Sequence, residues 1–109
     1  MTINDKIMQS LDFLGFPVYP NAYPGEEDIY IVFNVNTSPD YFGDNEPGYD
    51  INFVQIHFFC PHTFNSIYTR KQIKKALQAA GFTYAFEVDA SEQEGQHIVF
   101  ECECVEAIE

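Results

Sequence analysis

Residues 50–60 read DINFVQIHFFC, and this run constrains the fold more than any other part of the chain. Alternation along a strand places Val54, Ile56, Phe58 and Cys60 on one face and Ile51, Phe53, Gln55, His57 and Phe59 on the other. The first face is uniformly apolar and must line a core. The second sets Ile51, Phe53 and Phe59 beside two polar residues, so it also needs cover. An antiparallel sheet with one helical layer normally leaves that side to water. Two kinds of cover fit the pattern: the N-terminal helix or a long loop of the same chain, or a partner subunit.

The flanking segments supply the rest of the architecture. Thr2 with Asp5 resembles a capping box, and Ile3, Ile7, Leu11 and Leu14 recur at helical spacing before Gly15, which predicts a helix over 3–14. Pro17, Pro20, Pro24 and Gly25 then forbid a long helix, although Val18 and Tyr19 suit a brief extended segment. Residues 28–36 (DIYIVFNVN) alternate as a half-buried strand with Ile29, Ile31, Phe33 and Val35 on one face. Residues 37–49 (TSPDYFGDNEPGY) are rich in turn formers and predict a long, aromatic-bearing loop. A second amphipathic helix is expected over 65–80, with Ile73, Ala76, Leu77 and Ala80 in one stripe and Gly81 as its stop. Residues 82–88 (FTYAFEV) and 97–105 (HIVFECECV) alternate as strands around a polar turn. The order α-β-β-α-β-β implies one α+β domain over 1–109, an antiparallel or mixed sheet of about four main strands packed by two helices.

Length and composition set the limits. A chain of 109 residues is the size of one domain, and 46% hydrophobic residues with 11 Phe and 7 Tyr suffice to fold it without metal or disulfide staples. Seventeen Asp+Glu against five Lys+Arg give a net charge of −12, a field that repels nucleic-acid phosphates and anionic membranes. Direct reading of a nucleic-acid sequence is therefore disfavoured. The charge suits a basic protein partner, the lining of a passage through which DNA slides, or plain solubility. The first 15 residues carry Asp5 and Asp12 and lack the pattern of a secretory signal, and no apolar run reaches the roughly 18 residues of a membrane span. A cytoplasmic setting with Cys60, Cys102 and Cys104 as free thiols is expected.

No constellation of catalytic or metal-binding residues emerges. His57, Cys60, His62, Cys102 and Cys104 are zinc-ligand types, but Cys102 and Cys104 share a strand face with Ile98 and Phe100 as small core residues, while His57 and Cys60 fall on opposite faces. Nothing marks a Cys–His nucleophilic pair, and six scattered glycines form no phosphate-cradling loop. Glu101 and Glu103 share a face and read as a solvated edge. No catalytic, cofactor or metal site is expected. The informative charge feature is Arg70, Lys71, Lys74 and Lys75, four of the five basic residues, placed together on the solvent side of the second helix. Such polarity suits a head-to-tail contact between identical subunits, and equally an ordinary solvated helix face.

The phrases VYPNAYPGEEDIYIVFNV, YDINFVQIHFF and IKKALQAAGF, in this order of elements, resemble the small tail-completion proteins of long-tailed bacteriophages, also called tail terminators or minor head–tail joining proteins. The resemblance spans nearly the whole chain. It implies a non-enzymatic virion protein, present in the host cytoplasm during assembly, that forms a homo-oligomeric ring, commonly a hexamer, at the end of the tail tube. Its partners would be tail-tube and head-connector proteins, and an acidic lumen would let DNA pass. The residues expected at the subunit interface are Arg70, Lys71, Lys74 and Lys75 with Tyr41, Phe42, Asp44, Glu46, Tyr49, Ile51, Phe53 and Phe59. A different reading of the same acidity is a DNA mimic that occupies the basic groove of a host nucleic-acid enzyme.

Overall fold

The computed structural model describes residues 2–41 and 47–107. The N-terminal helix α1 (Ile3–Leu11) starts at a closed capping box: Thr2 Oγ1 accepts from the Asp5 N–H at 3.1 Å, and the Asp5 carboxylate accepts from the Thr2 N–H at 3.3 Å. Ile7 and Leu11 are fully buried. The last predicted turn tightens into a 3-10 turn at Asp12–Leu14, and Gly15 at φ 79° reverses the chain. Three residues, Val18–Pro20, form β1, paired in parallel with the following strand.

β2 (Tyr30–Tyr41) and β3 (Pro47–Cys60) form a long antiparallel hairpin in continuous register from Tyr30↔Phe59 to Asp40↔Tyr49. α2 (Ile67–Ala79) follows and ends at Gly81, φ 99°, after which the Phe82 N–H donates to the Leu77 carbonyl at 3.0 Å. β4 (Phe86–Asp89) and β5 (Gln96–Ala107) complete a five-stranded mixed sheet in the order β1-β2-β3-β5-β4. The α+β architecture with two helices holds, with a fifth strand added at one edge and a parallel pair at β1.

Both helices lie on one side of the sheet. Ile7, Leu11, Ile73 and Leu77 meet Ile31, Phe33, Val54, Ile56, Phe58, Ile98 and Phe100 in a single core, with Cys60, Cys102 and Cys104 filling its small positions. The helical layer covers this inner face alone, so the opposite side of β3 receives no helix.

The expected loop over 37–49 is corrected: β2 runs to Tyr41 and β3 begins at Pro47. Fourteen residues of β3 at about 3.3 Å each span roughly 46 Å, which accounts for the long axis of 53 Å against 23 Å in the other two directions. The polar stretch tolerates a ladder because backbone pairing needs no apolar side chain beyond the core. Asn52, 4% exposed, ties it together, accepting from Thr37 Oγ1 at 2.7 Å and donating to Glu106 Oε1 at 2.8 Å. Pro39 is tolerated by parity. The Ile31 N–H donates to Pro17 and the Phe33 carbonyl accepts from Asn21, so odd residues of β2 direct their backbone groups toward the β1 side. β1 pairs no further than Phe33, which leaves the donor that Pro39 lacks on an open edge. The strand expected over 82–88 is also shorter: Phe82 and Ala85 are both buried, an odd spacing that breaks alternation, and β4 starts only at Phe86.

The helix–sheet core sets the stability. Replacing fully buried Ile73 with Ala is expected to cost about 2–5 kcal/mol, while Ala at exposed Ile67 on the same helix should cost under about 0.5 kcal/mol. Urea-unfolding midpoints of the two variants check the contrast.

Candidate interaction surfaces

α2 divides its basic residues between two tasks. Arg70 and Lys74 lean toward β4, where Glu87 faces the helical layer: Arg70 Nε and Nη2 each donate to a Glu87 carboxylate oxygen at 2.9 Å, and Lys74 Nζ lies 3.7 Å from Oε1. The hydrogen bonds from Arg70 hold the Glu87 carboxyl below its usual range, and the same contact raises Arg70. Lys74 also stands 5.9 Å from the centre of the Tyr84 ring. The expected four-residue solvent stripe is thus corrected, because two of its members are half-buried and paired within their own chain. Lys71 and Lys75, one residue further round the helix, are exposed and form no ion pair among the described residues. They border a groove of about 680 Å³ between α2 and the end of α1, beside Ser10, Phe13, Tyr68 and Ala76.

The outer face of the sheet has two unlike halves. Near the β2–β3 end that carries Tyr30 and Phe59, aromatic rings run across the strands: Tyr19 to Tyr23, Tyr23 to Tyr30, Tyr30 to Phe59 and Phe59 to His97, at 5.4, 4.7, 4.9 and 4.2 Å between centroids. His57 Nδ1 meets His97 Nε2 at 2.8 Å, and Asn34 lies 3.5 Å from His57 Nε2. This half is largely satisfied within the chain. Phe53 and Val105 toward the other end of the sheet, and Phe86 and Val88 on the short edge strand β4, are 41%, 57%, 78% and 50% exposed. Here Glu101 and Glu103 border a groove of about 460 Å³ with Phe53, Tyr84 and Phe86. They sit on β5, between β3 and β4, and so on an interior strand rather than at the edge expected from sequence.

Of the other expected interface residues, Phe59 belongs to the ring stack, Ile51 is half-buried on the outer face, and Tyr49 is 42% exposed near the start of β3. Tyr41 ends β2, and Phe42, Asp44 and Glu46 lie outside the described residues. Sequence reading missed Glu87, the His57–His97 contact and the exposed Phe86, each of which becomes visible only once strand order is known. It also missed a cleft of about 560 Å³ where Glu27 and Asp28 approach Glu92 and Glu94 beside Tyr30 and His97. No group of His, Cys, Asp and Glu among the described residues has metal-holding geometry.

The cysteines are placed as core fillers. Burial, followed by the charges of Cys104 and Glu103, pushes the Cys102 thiol up to about 12, and burial raises Cys60 as well. Thiols in this state stay protonated at neutral pH and are poor nucleophiles or metal ligands.

The histidine contact makes stability pH-dependent. Burial first and His97 second lower His57 below its ordinary 6.5, with Glu101 opposing them. The unfolded chain therefore takes up this proton before the folded one does, so His57 contributes stability that is full above about pH 6.5 and declines as pH falls below it. Acidification also relieves the net negative charge, which acts in the other direction. A His57→Gln comparison separates the two: between pH 7.5 and 5.5 the wild type should lose stability relative to the variant in urea melts. Parallel pH curves would contradict the assignment.

No family model matches the chain, and no curated protein matches it. A solved structure is similar to it with a TM-score of 0.58 and 12% sequence identity, covering 98% of this chain and 88% of the other. At that identity the likeness extends to the fold alone.

Proposed function

We propose that this protein is a non-enzymatic structural subunit of a phage virion, a tail terminator or head–tail joining protein that assembles into a ring, a hexamer by family resemblance, and permits DNA passage. The observation that carries the reading is the bare part of the outer sheet face, where Phe53, Phe86, Val88 and Val105 stand in solvent with no helical layer over them. Apolar side chains grouped on one face of a folded domain mark an association surface. The resemblance carried by residues 18–35, 49–59 and 73–82 supplies the biological setting.

The charge supports the same reading. A net charge of −12 on each copy is compatible with a ring whose bore has a negative wall, which DNA phosphates would avoid instead of binding. DNA then moves through without adhering. The alternative of a DNA mimic is less favoured, because exposed Phe53 and Phe86 beside Glu101 and Glu103 would add apolar surface where a phosphate surrogate needs only carboxylates.

Self-association is the expected outcome. Sedimentation velocity and native mass spectrometry at rising concentration, with and without tail-tube protein, should show an oligomer, and negative-stain images a closed ring with a central hole. A monomer under all of these conditions would overturn the reading.

A further inference from the structure

The outer sheet face and the outer side of the helical layer are opposite in charge and alike in apolar content. Lys71 and Lys75 stand on one, beside Phe13 at 57% exposure and Tyr68 at 71%. Glu101 and Glu103 stand on the other, beside Phe53 and Phe86. The two grooves share no residue. Their spacings also match: four residues along a helix rise about 6 Å, and two residues along a strand advance about 6.7 Å. A lysine pair at i and i+4 can therefore face a glutamate pair at i and i+2 in register.

Resting on the ring reading, we infer that the Lys71–Lys75 groove of one copy seats on the outer sheet face of the next, with the two lysines against Glu101 and Glu103 and with Phe13 and Tyr68 against Phe53 and Phe86. Charge selects this arrangement over symmetric ones. Sheet face against sheet face would bring Glu101 and Glu103 onto their own copies, and helix against helix would do the same to Lys71 and Lys75; like charges brought together at an interface oppose both. Stacking in one sense instead gives each sheet the second layer it lacks. A contact between unlike patches of identical subunits repeats, and it closes into a ring when the rotation allows.

Arg70 and Lys74 take no part, since Glu87 of their own chain already engages them. That pair narrows the cationic side of the contact to two residues, both exposed, so reversing their charge leaves the core intact.

The test uses two double variants of the full chain, K71E/K75E and E101K/E103K, each checked for folding by circular dichroism and analysed by sedimentation velocity beside the wild type. Each variant alone should associate more than about tenfold more weakly than the wild type. An equimolar mixture should regain association, because in alternation each positive patch again meets a negative one. If the wild type forms rings and K71E/K75E forms them equally well, this pairing falls while the ring reading stands. If K71E/K75E is impaired but E101K/E103K is not, the lysines meet another acidic surface, such as the cleft at Glu92 and Glu94, and the pairing is again wrong. Failure of the mixture to recover overturns it too. A wild type that stays monomeric removes the ring reading and this contact together.

Discussion

The fold depends on β3 being paired along both edges for almost its full length. Tyr49 to Cys60 lie opposite β5, and the same strand lies opposite β2 from Phe59 outward. A strand held on both sides satisfies its backbone donors and acceptors without help from side chains, so its side chains are free to serve two surfaces. Val54, Ile56 and Phe58 anchor the helical layer, and the residues between them define the outer face. The length of the molecule and the position of the core toward one end follow from a strand that extends past the two helices that cover its inner face, and the bare patch lies on the other face, which no helix covers.

The second controlling interaction is the two-pronged contact between Arg70 and Glu87. It agrees with the roll that burial of Ile73 and Leu77 sets for α2, with a planar guanidinium meeting two carboxylate oxygens on β4. With Ile73 and Leu77 in the core, Lys71 and Lys75 are turned outward. The pair is partly exposed, at 22% and 25% of side-chain surface. Its energy is correspondingly modest in water, and its larger effect is geometric: it decides which cations remain available.

Much of this was legible in the sequence. The alternation of residues 28–36 and 50–60, the capping box at Thr2 and the glycine stop at Gly81 report local physics, and each appears where its pattern placed it, within a few residues. Three features were hidden because they depend on partners far along the chain. The ladder beyond Asn36 is built from turn-forming residues that alone favour a loop, and it persists because β3 and the Asn52 contacts hold it. Phe82 alternates with Tyr84 and Phe86 on paper, yet it turns into the core as the chain leaves α2, which no periodicity records. Arg70 and Lys71 are neighbours in sequence, and only the position of Glu87, 17 residues later, separates a structural cation from a free one.

The edges of the sheet are only partly covered. A long open strand edge offers unpaired backbone groups to any neighbouring chain and invites growth without limit. Here β1 covers only Ile31–Phe33 of β2 and β4 only Ile98–Glu101 of β5, so the far stretches of both long strands are open edges, interrupted on β2 by Pro39, which lacks a donor. At the far end of the outer face, the stack from Tyr19 through Tyr30 and Phe59 to His97 uses its aromatic surface internally. What remains for contact is a patch bounded by carboxylates, which repels its own copy and attracts a cationic one. Were copies to associate through this face, a contact apolar at its centre and charged at its border would take one neighbour on that side, and the assembly would be finite only where the rotation closes.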